Sequence, residues 1–301
     1  MSLLKRIARF IILNIAVLVT INIIVTVLIA LGVDLSGNDH MSLLIFAAVI
    51  GFSGSLISLF ISKWMAKKAY DMTLITARPS DPKLAAIWDC MESLSYRHGI
   101  TMPELGVYQS GEPNAFATGW SQNDGLIAFS TGILKTMTID ELEGVTAHEM
   151  AHILNGDMVT MTLLQGVINT FVVFFSHLVA RSIDTFLSRD NEEGSLGYWG
   201  YYLVYNILNF VFSLLGSLVL MAFSRWREYR ADAEASDMVG KHKMIAALQA
   251  LLKTIDYPVE EDQKHEHYAM LKISHQPGWL SLFSSHPPLE KRIQALESRA
   301  G

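Results

Sequence analysis

Four stretches of the chain, 10–33, 41–62, 158–180 and 194–224, contain no Asp, Glu, Lys or Arg. Each exceeds the roughly 20 apolar residues that carry a helix across about 30 Å of hydrocarbon. A helix satisfies its own backbone where no water is present to do so. The pattern therefore predicts four transmembrane helices in two hairpins, with Gly194, Ser195 and Gly197 left to the loop before the last. Gln165, Asn169 and His177 interrupt the third stretch, and Asn206 and Asn209 the fourth. Burial of those two helices inside a soluble part, or partial entry into the bilayer, is the alternative. His177 is expected to pack or reach the interface rather than relay protons. The first stretch is too long for a removable signal peptide and has no small-residue cleavage site.

Between the hairpins the period changes. Leu84, Ile87, Trp88, Met91 and Leu94 recur at helical spacing, with Pro82 in the first turn and Gly99 past the end, so 81–98 is expected to be a helix. Three short runs follow, 104–109, 114–118 and 126–130, divided by turn-rich segments. They read as a small antiparallel sheet. Thr138-Ile139-Asp140-Glu141 has the form of a capping box and opens a helix to about Leu154. Further helices are expected over 225–241 and 244–255. A poorly patterned segment, 256–286, then leads to Pro287-Pro288 and a C-terminal amphipathic helix bearing Leu289, Ile293 and Leu296. The fold class is a mainly α membrane protein of four transmembrane helices with an α+β soluble domain. Its parts are a membrane hairpin (1–68), a first soluble part (69–157), a second hairpin (158–224) and a second soluble part (225–301).

Composition supports this division. Hydrophobic residues make up 51% of the 301 residues and charged ones only 17%, against roughly 25% charged in ordinary soluble domains. Disorder and a wholly soluble globule are both disfavoured. The net charge of −6 comes with no basic tract, so no nucleic-acid partner is expected. The single cysteine, Cys90, excludes an internal disulfide and reads as a small buried apolar side chain rather than a nucleophile. Lys5, Arg6 and Arg9 precede the first span, Lys63, Lys67 and Lys68 follow the second, and Arg225, Arg227 and Arg230 follow the fourth. The intervening loops are acidic. By the positive-inside rule both termini and the soluble parts face the cytoplasm.

The chemistry concentrates in His148-Glu149-Met150-Ala151-His152. Imidazoles at i and i+4 share one helical face and can reach one ion, while Glu149, offset by one residue, is placed to act as a general base without ligating. A catalytic zinc takes three protein ligands. No third histidine follows at the HExxHxxGxxH spacing, since position 158 is Met. Glu228 and Asp232 lie four apart on one helix; one can ligate while the other hydrogen-bonds a ligand histidine. The competing reading is a structural histidine pair beside a solvated acidic face. Other histidines are weaker: Lys264-His265-Glu266-His267 reads as a solvated loop, His98 as a cation at a helix C-terminus, and His40 and His242 as exposed.

At this point a resemblance becomes specific. His148 to Asp157 resembles the HExxHxxNGD signature of the HtpX group of membrane zinc endopeptidases, bacterial relatives of the CAAX prenyl endopeptidase. The N-terminal hairpin, the segment Glu228-Tyr229-Arg230-Ala231-Asp232 and Ser285-His286-Pro287-Pro288-Leu289 match as well, over essentially the whole chain. The resemblance implies a gluzincin-like protease domain facing the cytoplasm from the bacterial inner membrane. It implies one Zn2+ held by His148, His152 and Glu228, with Asp232 orienting a histidine, by preference His148. It also implies stress-related cleavage of misfolded or damaged membrane proteins. Asn114, Ala115, Phe116 and Ala117 resemble the family's strand beside the metal cleft, where an extended substrate can pair. His286 becomes a candidate donor to the oxyanion, with a structural histidine before Pro-Pro as its rival. The alternatives are a prenyl-protein processing endopeptidase and a metal-binding membrane scaffold without catalysis. No oligomeric state is implied.

Overall fold

The computed structural model describes residues 19–35, 37, 39–188, 196–256 and 285–299. They fall into two compact units, one of Met1–Ser58 with Thr162–Leu220, the other of Leu59–Met161 with Met221–Gly301. The helices are α1 (Val19–Ala30), α2 (His40–Ala69), α3 (Pro82–His98), α4 (Thr131–Thr136), α5 (Ile139–Leu154), α6 (Asp157–Leu187), α7 (Gly197–Val239), α8 (Lys241–Asp256) and α9 (Leu289–Ser298). The strands are β1 (Thr73–Ile75), β2 (Glu104–Tyr108), β3 (Ala115–Gly119) and β4 (Gly125–Ser130).

The first unit is built from the apolar helices. Of these, α2, α6 and α7 are each long and apolar enough to cross a bilayer. Of the first charge-free stretch, 19–33 is described and holds α1; 10–18, with Lys5, Arg6 and Arg9 before it, lies outside the described residues. Side chains such as Phe210 (65% exposed) and Leu203 (63%) point away from protein, which disfavours burial of the last helix in a soluble core. Small residues let the backbones meet: a Cβ on Gly51 would lie 2.5 Å from the Thr170 nitrogen, and one on Gly216 2.5 Å from Ile168. Such close approach is the usual basis of helix pairing in lipid. Polar side chains are satisfied locally. Gln165 donates to Asn169 at 2.7 Å, and the Thr170 and Ser176 hydroxyls donate to carbonyls one turn back. His177 packs on Tyr205 and shares a 2.9 Å hydrogen bond with the Tyr201 hydroxyl.

The second unit joins a four-stranded sheet to helices. Strand order is β1-β2-β4-β3, with β1/β2 and β3/β4 antiparallel and β2/β4 parallel. The sheet is therefore mixed rather than antiparallel. The reason lies in β4: all six of its residues are buried, and a strand apolar on both faces belongs in the middle of a sheet. It inserts between β2 and β3 and so runs parallel to β2. The three-residue β1 and the short α4 carry too little periodicity to be read from sequence.

The core runs from Ile87 and Met91 on α3 through Phe129 on β4 to Leu142 and Met150 on α5 and Leu248 on α8. Local signals fix the helix ends. Asp81 accepts from the backbone N–H groups of Lys83 and Leu84, and Gly99 closes α3 in the left-handed region, φ +66°. At α5 both halves of the capping box form: the Thr138 N–H donates to Glu141 at 2.7 Å, and the Glu141 N–H to the Thr138 hydroxyl. The helix expected over 225–241 is not separate. Between Gly216 and Gly240 there is no glycine or proline to break the chain, and α7 runs as one helix of 43 residues.

Candidate active site

α5 carries His148, Glu149 and His152, all buried. One turn apart, the imidazoles bring their Nε2 atoms to 3.2 Å. α7 carries Glu228 and Asp232, again one turn apart and buried. Oε2 of Glu228 lies 3.5 Å from His148 Nε2, and Oε1 lies 3.4 Å from His152 Nε2. Residues from two distant parts of the sequence thus converge on one point.

The donor set fits a tetrahedral metal ion. One ligand atom from each of His148, His152 and Glu228 can be chosen so that all lie within 4.8 Å of one another, a span that ligands about 2.0–2.1 Å from one tetrahedral zinc can close. Both oxygens of Glu228 are buried, and each faces an imidazole nitrogen of the pair on α5. Among the described residues, His148, His152 and Glu228 form the one group able to hold a metal.

A second ring of charge supports the first. Asp232 Oδ1 lies 3.0 Å from His148 Nδ1, and Asp157 Oδ2 lies 2.6 Å from His152 Nδ1. Arginines hold both carboxylates. Arg230 donates to Asp157 at 2.6 Å, and Arg292 on α9 donates to both oxygens of Asp232 at 2.6 and 2.7 Å. No spacing in the sequence marks Asp157, Arg230 or Arg292 as part of the site. Asp157 stands five residues from His152, off its helical face; Gly156, with φ +61°, turns the chain so that the carboxylate comes back.

Burial disfavours the charged forms throughout, yet the neighbours win. Asp232 and Glu228 outweigh burial at His148 and raise its imidazole to about 9. Asp157 and Glu228 likewise raise His152. The imidazoles of His148, His152 and His286 overcome burial at Glu228 and hold its carboxyl far below the usual range. At Asp232 burial is overcome by Arg292 and then His148, again lowering the carboxyl. A site that binds protons this well attracts divalent cations for the same reason, and the two compete.

His286 is brought to the group: its Nδ1 lies 2.9 Å from Glu228 Oε2 while 63% of the side chain stays exposed. Asn114 precedes β3, whose remaining residues include Ala115, Phe116 and Ala117. β3 lies at one end of the strand order and packs against α5. Ala115 and Ala117 face the core, and Phe116 meets Tyr70 and Tyr108 on the other side. Cys90 is half-buried, its thiol pushed up to about 12 by burial. The segment Lys264 to His267 lies outside the described residues.

Long apolar helices and a buried His/His/Glu group within one chain are the features of a membrane metalloprotease. The chain belongs to peptidase family M48, whose model matches residues 84–300. It is 46% identical to Protease HtpX of Shewanella oneidensis over 296 residues, covering 98% of this chain and 100% of that protein. It is 47% identical to Protease HtpX of Pasteurella multocida over 294 residues, 97% of each chain. The HtpX resemblance seen in the motifs therefore extends over nearly the full length. The fold is similar to the crystal structure of S. mikatae Ste24p, with a TM-score of 0.57 at 20% identity over 84% of this chain and 58% of that one.

Proposed function

We propose that the chain is a zinc endopeptidase that holds one Zn2+ between His148, His152 and Glu228 and hydrolyses peptide bonds with Glu149 as general base. The observation that carries this reading is the convergence of His148 and His152 from one helix and Glu228 from another, all buried, with one ligand atom from each within 4.8 Å of the others. Zinc bound there supplies Lewis acidity, acidifying water and polarising the scissile carbonyl. Glu149 takes the proton of the attacking water and passes it to the leaving amine. Asp232 and Asp157 fix the two imidazoles from behind. His286 is the one imidazole of the group open to solvent, and its ring N–H donates to the developing oxyanion. The edge of β3, with Asn114 to Ala117, takes an extended peptide by backbone pairing, which demands little of the substrate's sequence.

The substrates in this reading are misfolded or damaged membrane proteins, cleaved at the cytoplasmic face of a bacterial inner membrane during stress. Apolar spans in the same chain as the site support membrane-borne substrates, and the placement of Lys and Arg supports the cytoplasmic face. Paired variants test the chemistry. Glu149→Gln keeps shape but removes the proton acceptor, so zinc stays bound while casein cleavage falls by at least about 100-fold. Glu228→Gln replaces an anionic ligand by a neutral amide, so zinc itself is lost or loosely held. Loss of zinc from the first variant, with zinc and activity retained in the second, overturns these roles.

A further inference from the structure

Arg292 lies where a helix does not ordinarily place a cation. Leu289, Arg292, Ile293 and Leu296 follow the i, i+3, i+4, i+7 spacing of an apolar stripe, and Arg292 is only 6% exposed. What it meets there is the second ring of the metal site. Its Nε and Nη2 donate to the two oxygens of Asp232 at 2.7 and 2.6 Å, and its Nη1 lies 3.3 Å from Oε2 of Glu228. The Asp232 oxygen that takes Nη2 is the one 3.0 Å from His148 Nδ1.

A carboxylate on a short side chain can rotate its plane; a two-pronged guanidinium fixes that plane. The orientation of His148 therefore depends on Asp232, and that of Asp232 on Arg292. The same cation lies between two buried carboxylates one turn apart, whose mutual repulsion would otherwise turn one of them away. Asp157, behind His152, is held instead by Arg230 of α7, which also carries Glu228. Only the Asp232 side draws its arginine from the C-terminal helix. That helix has a separate anchor: Arg299 forks onto Asp237 at 2.8 and 3.0 Å, and Lys241 donates to the carbonyls of Glu297 and Arg299.

We propose that Arg292 is a positioning residue for the metal site, through which α9 sets the orientation of Asp232 and His148 and hence the affinity for zinc. The proposal rests on the metal reading above. It is tested on the full-length protein in detergent by competing zinc against a chromophoric chelator, with folding followed by circular dichroism. Lysine keeps the charge of Arg292 and loses the fork, so Arg292→Lys should weaken zinc about 10- to 100-fold, the scale of lost support behind a ligand. Arg299→Ala loosens the same helix away from the site and should leave zinc affinity at the wild-type value. In an Asp232→Asn background, Arg292→Lys should add little further loss, because the two residues act as one unit. If the lysine variant does not fold, Arg292→Gln takes its place with the same expected direction. Wild-type zinc affinity in Arg292→Lys overturns the proposal. So does an equal loss in Arg299→Ala, which would trace the effect to seating of the helix alone. A wild-type protein that takes up no zinc overturns the metal reading and this proposal together.

Discussion

A carboxylate behind an imidazole fixes which ring nitrogen carries the proton and makes the other a better donor to a metal. Asp157 has that position toward His152 at 2.6 Å and is itself held by Arg230. Asp157→Ala should leave a folded protein whose zinc affinity is about 10- to 100-fold weaker, measured by chelator competition; unchanged affinity would reduce Asp157 to a local ion pair. The pentad and the Glu228/Asp232 pair were legible because helical periodicity itself joins their members. Asp157 belongs to the signature, but its place behind His152 depends on the left-handed turn at Gly156, which spacing alone does not show. Arg292 was hidden further, because contact between α9 and α7 is set by tertiary packing that no local spacing encodes.

Gly144 shows the same division between local and tertiary signals within one helix. Taken alone, Gly→Ala inside a helix gains about 1 kcal/mol of propensity. A Cβ at Gly144, however, would lie 2.6 Å from the Lys243 carbonyl oxygen and 3.0 Å from the Ala247 methyl on α8. Backbone gives way poorly, and overpacking costs about 1–3 kcal/mol. Gly144→Ala should therefore melt below the wild type in the same detergent; a higher melting temperature would mean that α5 and α8 separate freely. The caps of α3 and α5 were readable because each is a contact within four residues. The parallel pairing of β2 with β4 was not, because register across a sheet is a long-range choice that β4 makes by burying both faces.

For the whole molecule, the signal from charge has to survive folding. Lys63 pairs with Asp124 at 2.6 Å and Glu104 at 3.0 Å, Lys67 also pairs with Glu104, and Arg230 holds Asp157. These cations stand at the ends of spans, where they bear on topology, yet in the folded chain each has an acidic partner. Orientation is decided during insertion, when Lys and Arg near the ends of spans act and acidic residues contribute little. The pairing therefore does not count against the expected topology, which puts the segments 34–39 and 181–193 outside and the soluble parts inside. The chain's one native thiol makes this directly testable: Cys90 is half-buried and pushed up to about 12, so it reacts slowly with maleimides near neutral pH. Cysteines introduced one at a time at His40, Glu193 and Tyr96 then report their own side of the membrane. His40 is exposed, and Asp39 keeps its hydrogen bonds to the start of α2; Tyr96 is 88% exposed on α3. In intact bacterial cells whose outer membrane admits the reagent, a maleimide that cannot cross the inner membrane should label His40→Cys and Glu193→Cys. Tyr96→Cys should react only after that membrane is opened. Labelling of Tyr96→Cys in intact cells would put the His/His/Glu group outside the cytoplasm and end the proposed route to cytoplasmic substrates, while leaving the metal chemistry untouched.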